Sequence, residues 1–190
     1  MAAKKEIQTA YKSRLQDMYE KQIVPQLMKQ FDYKSLMQVP KLKKIVISMG
    51  CKDALVDGKA MDKAVDELWQ ISGQKPIVTL AKKAIAAFKL KEKSPIGCVV
   101  TLRKHMMYDF ADRLVNIALP RVKDFRGLNP RKFDGSGNYA FGLKEQIVFA
   151  EINYDKIDKI RGMNIVFVTS AKTNEEAQAL LALFNFPFSK

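Results

Sequence analysis

Hydrophobic positions recur along this chain with two different periods, and the places where one gives way to the other mark its elements. Ile7, Tyr11, Leu15 and Met18 fall three or four residues apart, the spacing of one helix face. Pro25 is expected to kink or restart that helix, leaving QLMKQF as a second short piece, so residues 1–32 read as an N-terminal helical segment. KLKKIVISMG (41–50) changes to strict alternation, with Ile45, Ile47 and Met49 on one side and Lys44, Val46 and Ser48 on the other. Residues 57–72 return to helical spacing through Met61, Ala64, Val65 and Leu68, and Gly73 is placed to stop the helix. IVTLA after Pro76 predicts a short strand. PIGCVVTLRK predicts another, with Ile96, Cys98, Val100 and Leu102 opposing Val99, Thr101 and Arg103. HMMYDFADRLVNIAL (105–119) predicts a helix ended by Pro120, and DFRGLNPRKFDGSGN (124–138) is dense enough in Gly, Asn, Pro and Asp to be a long loop. QIVFAEI and MNIVFVTS read as strands. The last element is a helix whose capping box, Thr173 and Glu176, precedes an apolar stripe of Leu180, Leu181 and Phe184.

Short strands joined by uneven connections predict an α+β fold, a mostly antiparallel sheet with helices packed on one face. No repeat, low-complexity tract or Ser/Gly linker interrupts the 190 residues, so a single domain over 1–190 is expected. The second sheet face is then free, and the alternation gives it Lys44, Ser48, Thr101 and Arg103, groups suited to phosphate, sugar and base-edge contacts.

Composition changes this picture mainly through charge. A formal net charge of +13 speaks of partners rather than of fold, and the usual partners are nucleic acids or anionic membranes. The excess is clustered. Lys82, Lys83, Lys89, Lys91, Lys93, Arg103 and Lys104 against Glu92 give +6, and Arg121, Lys123, Arg126, Arg131 and Lys132 against Asp124 give +4. Loop 82–94 interleaves its lysines with small alanines and Phe88, which is placed either to stack or to anchor the loop base, a pattern for shape and phosphate contact rather than sequence reading. No apolar run approaches a membrane span, and no basic amphipathic helix speaks for a peripheral membrane binder. The N-terminus lacks the apolar core of a secretory signal. Catalysis finds no constellation. His105 is the single histidine, at a predicted helix start, and DGSGN (134–138) lacks the phosphate-loop pattern. Cys51 and Cys98 have no CxxC or His-rich partner, so no metal or cofactor is expected, and Cys98 falls on the core face. Trp69 and the methionines fall largely on helix stripes and are expected in the core.

MQVPKLKKIVISMG, ISGQKPIVTLAKKAIAAFKLKEKSPIGCVVTLR, RVKDFRGLNPRKFDGSGNYAFGLKEQIVF, INYDKIDKIRGMNIVFVTSAKT and the closing NFPF resemble the family of bacterial-type ribosomal protein five of the large subunit. The resemblance runs from about residue 11 to the C-terminus. It implies an antiparallel sheet flanked by helices that binds 5S rRNA on its exposed face in the central protuberance, with no reaction of its own. The family's RNA-contacting Asn on the first strand, Gln of GQKP and Thr of VTLR map to Ser48, Gln74 and Thr101, with Lys44 and Arg103 beside them. Loop 82–94 looks like the family's protruding loop toward the peptidyl-site tRNA, which makes Lys82, Lys83, Ala87, Phe88, Lys89 and Lys91 its contact candidates. The further partners implied are 23S-type rRNA, neighbouring large-subunit proteins and a small-subunit head protein across an intersubunit bridge, in the cytoplasmic ribosome. Four departures stand out: Ser48 replaces the Asn, AAFK replaces AGFK, LRKHMM replaces LRGERM, and Val99 replaces a usual Lys. Serine is shorter and lacks the amide's bidentate capacity. Ala87 gives up glycine's access to positive φ, so a differently shaped loop tip is expected.

Overall fold

The computed structural model describes residues 11–55, 57–154 and 157–189. The alternating segments pair as one antiparallel sheet: β1 (Leu42–Gly50), β2 (Ile77–Leu80), β3 (Pro95–Leu102), β4 (Tyr139–Leu143) and β5 (Met163–Thr169), in the order β2-β3-β1-β5-β4. Register turns the alternation into layers. Ile45 faces Leu102 and Phe167, Ile47 faces Val100 and Ile165, and all six are buried beneath the helices. Tyr139 and Phe141 extend this layer to the β4 edge. Gly97 is required where β3 meets the end of β1, because a Cβ there would lie 2.4 Å from the Met49 carbonyl oxygen.

Among the described residues the helices pack on that one side. α1 (Arg14–Met18) starts at Ser13, whose hydroxyl accepts from the Gln16 amide, and runs through a π turn (Tyr19–Ile23) into α2 (Val24–Phe31). Pro25 sits in the first turn of α2, so the α-helix restarts there as expected, and the wider π turn before it absorbs the missing amide. Ile7 and the rest of residues 1–10 lie outside the described residues. α3 (Gly58–Ser72) is capped by the Asp57 carboxylate on the Lys59 amide and stopped by Gly73 at φ 72°, whose N–H donates to the Trp69 carbonyl. Its buried stripe of Met61, Ala64, Leu68 and Ile71 lies against β3. Trp69 falls off this stripe and is 48% exposed, which corrects the expectation that it is core. α4 (Lys104–Arg113) continues through a π turn (Leu114–Ala118) to a 3-10 turn at Leu119–Arg121. Pro120 begins that last turn. α5 (Asn174–Leu183) has the expected cap: Thr173 Oγ1 accepts from the Glu176 amide, and the Glu176 carboxylate accepts from the Lys172 amide.

One strand expectation fails. Residues 146–148 form a 3-10 turn, and the edge strand is Tyr139–Leu143 just before it. Gln146 explains the difference. Its fully buried side chain accepts from the Arg161 amide (2.6 Å) and donates to the Lys159 carbonyl (2.8 Å), pinning the chain to the entry of β5. The same knot holds the buried pair Arg161–Glu67 at 3.0 Å, tying β5 to α3.

Candidate nucleic-acid interface

The sheet face opposite the helices is bare among the described residues. Register sorts it into rows. One runs Ile77, Val99, Ser48, Asn164, Gly142 across all five strands; the next runs Thr101, Val46, Val166, Ala140; a third contains Lys44 and Val168. Lys44, Ser48 and Thr101 therefore share one face and are all half-exposed. Arg103, exposed, follows Leu102 at the end where Lys44 lies. Gln74 is exposed in the turn between α3 and β2, its backbone held by Ser72 Oγ, which accepts from the Gln74 amide and donates to its carbonyl. The five predicted residues thus gather as three on the face and two at one end of it.

The face is less polar than alternation alone suggested. Val46, Val99, Val166 and Val168 occupy its centre, half-exposed, with polar groups between and around them. Such a surface suits ribose and base planes as well as phosphates. Two residues were missed from the sequence. Lys75 is exposed two residues before β2 begins, at the end of the sheet where Arg103 lies. Asn164 lies directly across from Ser48, exposed. Its Oδ1 is 3.1 Å from where a Cβ on Gly142 would stand, so the glycine leaves the carboxamide its room. An amide is present beside position 48 after all, supplied by β5 instead of β1. Alternation marks Asn164 as outward-facing; only the strand pairing reveals its neighbour.

The basic loop is a built hairpin. Ala81 and Ser94 close its base (Ala81 N to Ser94 O, 2.9 Å), and Ile85 and Leu90 exchange both backbone hydrogen bonds near its tip. A 3-10 turn over Ala86–Phe88 caps it. Lys82, Lys83, Ala87, Lys89 and Lys91 are exposed, and Phe88 is 69% exposed at the apex, so it does not anchor the base. The left-handed residue of the tip is Lys89, at φ 53°, not Ala87. Alanine fits inside the 3-10 turn without strain, which removes the sequence-based reason to expect an altered tip.

Groups with catalytic chemistry are elsewhere or inert. His105 is exposed, edge-on to Tyr11 at 6.0 Å. Cys51 and Cys98 are buried, each thiol donating to an α3 carbonyl, and burial pushes the Cys98 thiol up to about 11. No cluster of three or more metal-ligating side chains occurs among the described residues, and no helix there is long and apolar enough to cross a membrane.

Comparison with known proteins finds a family over nearly the whole chain. Residues 35–91 match the family described as Ribosomal protein L5, and residues 95–188 match the model of that ribosomal family's C-terminus. The large ribosomal subunit protein uL5 of Geotalea uraniireducens is 60% identical over 176 residues, covering 93% of this chain and 98% of that protein. The uL5 of Chromobacterium violaceum shows the same identity and coverage. That of Caldanaerobacter subterraneus subsp. tengcongensis is 57% identical over 178 residues, 94% of this chain and 99% of its own length.

Proposed function

Because this chain belongs to the ribosomal protein L5 family, structural constituents of the large ribosomal subunit without enzymatic activity, we propose that its bare sheet face binds 5S rRNA and that hairpin 81–94 reaches a second RNA, the peptidyl-site tRNA. The observation that carries the first part is the shared face of Lys44, Ser48, Thr101 and Asn164, with Gln74, Lys75 and Arg103 at its end. Cations at one end set the RNA on the sheet, while hydroxyls and the Asn164 amide meet sugars and base edges. The hairpin supports the second part. Its two backbone clamps hold Lys82, Lys83, Lys89 and Lys91 around an exposed Phe88, a stacking group flanked by phosphate-binding charges. On this reading the protein works in the cytoplasmic ribosome, with 23S-type rRNA, neighbouring subunit proteins and a small-subunit head protein across the bridge as its further partners.

The test is titration with 5S rRNA and an unrelated RNA of equal length across a salt series. Persistence of 5S binding near physiological salt, while the control falls along the counterion-release slope, is the expected result. Lys44→Ala with Arg103→Ala should weaken 5S binding and reduce its salt slope by about two, one for each phosphate no longer neutralised. An unchanged slope sinks the sheet-face assignment. Removing residues 84–91 should spare 5S binding and impair tRNA contact in assembled ribosomes; loss of 5S binding there would show that the hairpin serves the other RNA.

A further inference from the structure

The second basic cluster, residues 121–132, has no part in the sheet face or the hairpin. In the fold it forms the outer wall of a cavity of about 590 Å³, whose inner wall is the free edge of β4. That volume is within the range of about 300–1,000 Å³ typical of small-ligand pockets. Lys123, Arg126, Lys132 and Lys144 line it against two acids, Asp124 and Glu145, and Phe125 stands among them, half-buried. The wall is fixed in place. Leu128 N–H donates to the Pro187 carbonyl (2.7 Å), Ser189 N–H returns to the Leu128 carbonyl (2.9 Å), and Tyr139 Oη donates to the Asn129 carbonyl (3.0 Å). Gly127, at φ 99°, permits this docking, since a Cβ would lie 2.7 Å from the Ser189 nitrogen. On the inner wall, Ala140 N–H reaches outward to the Lys132 carbonyl. Two residues on, Gly142 turns its backbone N–H and C=O the same way, and no chain covers them among the described residues.

We propose that this cavity is a second RNA site, taking one unstacked nucleotide of a single-stranded segment. Cations around the rim meet the flanking phosphates, Phe125 offers a face to the base, and the open Gly142 donor and acceptor meet its edge. A strand-adding peptide would use the same backbone groups, but four cations against two acids favour the polyanion. The inference rests on reading the chain as an RNA binder.

Site-resolved amide shifts of the full chain test it, with a single-stranded RNA hexamer, inorganic phosphate and an acidic hexapeptide added separately. The expected result is RNA-induced shifts at Phe125, Arg126, Gly142 and Lys144, with affinity at that site falling about tenfold in Arg126→Ala/Lys144→Ala and in Phe125→Leu. Both cations are exposed, so their removal leaves the core intact. The same shifts from phosphate alone, or from the peptide and not the RNA, overturn the proposal in favour of an anion site or of strand addition. If 5S rRNA shifts Ser48, Thr101 and Asn164 while RNA leaves the cavity silent, the cavity assignment falls alone. If no RNA shifts either region, the RNA-binding reading beneath it falls too.

Discussion

Lys104 opens α4 with φ at 53°, in the left-handed region where a Cβ crowds the backbone and glycine does not. The related pattern LRGERM has glycine at this place, so the chain keeps the backbone shape and tolerates the wrong residue for it. Lys104→Gly should therefore raise stability by about 1 kcal/mol, read as a higher urea midpoint at unchanged slope. A lower midpoint would mean the lysine side chain contributes more than the strain removes. Asn164 carries the second prediction at this scale. Asn164→Ala should weaken 5S rRNA binding by about tenfold, the worth of a good polar contact, with the salt slope unchanged because no charge is removed. A changed slope with unchanged affinity would contradict a direct contact. Lys44, Ser48, Thr101 and Arg103 were legible from the sequence because alternation sorts a strand's faces with no knowledge of its neighbours. Asn164 was not, because its meaning lies in the register with Ser48, set by residues more than a hundred positions away.

At the scale of elements, the period of the hydrophobic pattern located most strands and helices, and it failed where side-chain hydrogen bonds overrule it. QIVFAEI alternates like a strand, yet the Gln146 amide is spent on the Arg161 and Lys159 backbones, which only a turn can reach. Tyr139–Leu143 escaped notice because Ala140 and Gly142 on its outward side are small rather than polar. The pairing of β1 with β3 makes a sharper demand. Gly97→Ala would drive a methyl into the Met49 carbonyl, and neither strand can yield without breaking the ladder. A loss on the order of 2 kcal/mol is expected, visible as a drop of several degrees in Tm. An unshifted Tm would show that the two strands part freely at that end.

For the molecule as a whole, the buried hydroxyls and thiol set its tolerance of alkali. Burial pushes Tyr19, Tyr108 and Tyr139 up to about 12 and Cys98 up to about 11. Unfolded, these groups lose their protons near the ordinary values of 10.0 and 9.0, so between those values and the raised ones the folded chain binds more protons. Their contribution to stability is complete below about pH 9 and lost as pH rises through the folded-state values. Tyrosinate absorbance and loss of helical circular dichroism should climb together between about pH 10 and 12. Full ionisation of all tyrosines with the helical signal intact would refute the burial of these three rings.

The bare valine plane of Val46, Val99, Val166 and Val168 has a consequence for copies made before their RNA is at hand. Such a copy meets water with four half-exposed valines set among polar groups, and the same face on another copy offers them a cover of matching pattern. What keeps two copies apart is their charge of +13 each, and that repulsion fades once salt shortens the Debye length. High salt, the usual means of stripping RNA from a basic protein, therefore removes the proposed RNA cover and the repulsion in one step. With 5S rRNA as the proposed cover, supply of the chain is best matched to supply of that RNA, and clumping in concentrated salt, reversed by adding 5S rRNA once the salt is lowered, is the expected behaviour.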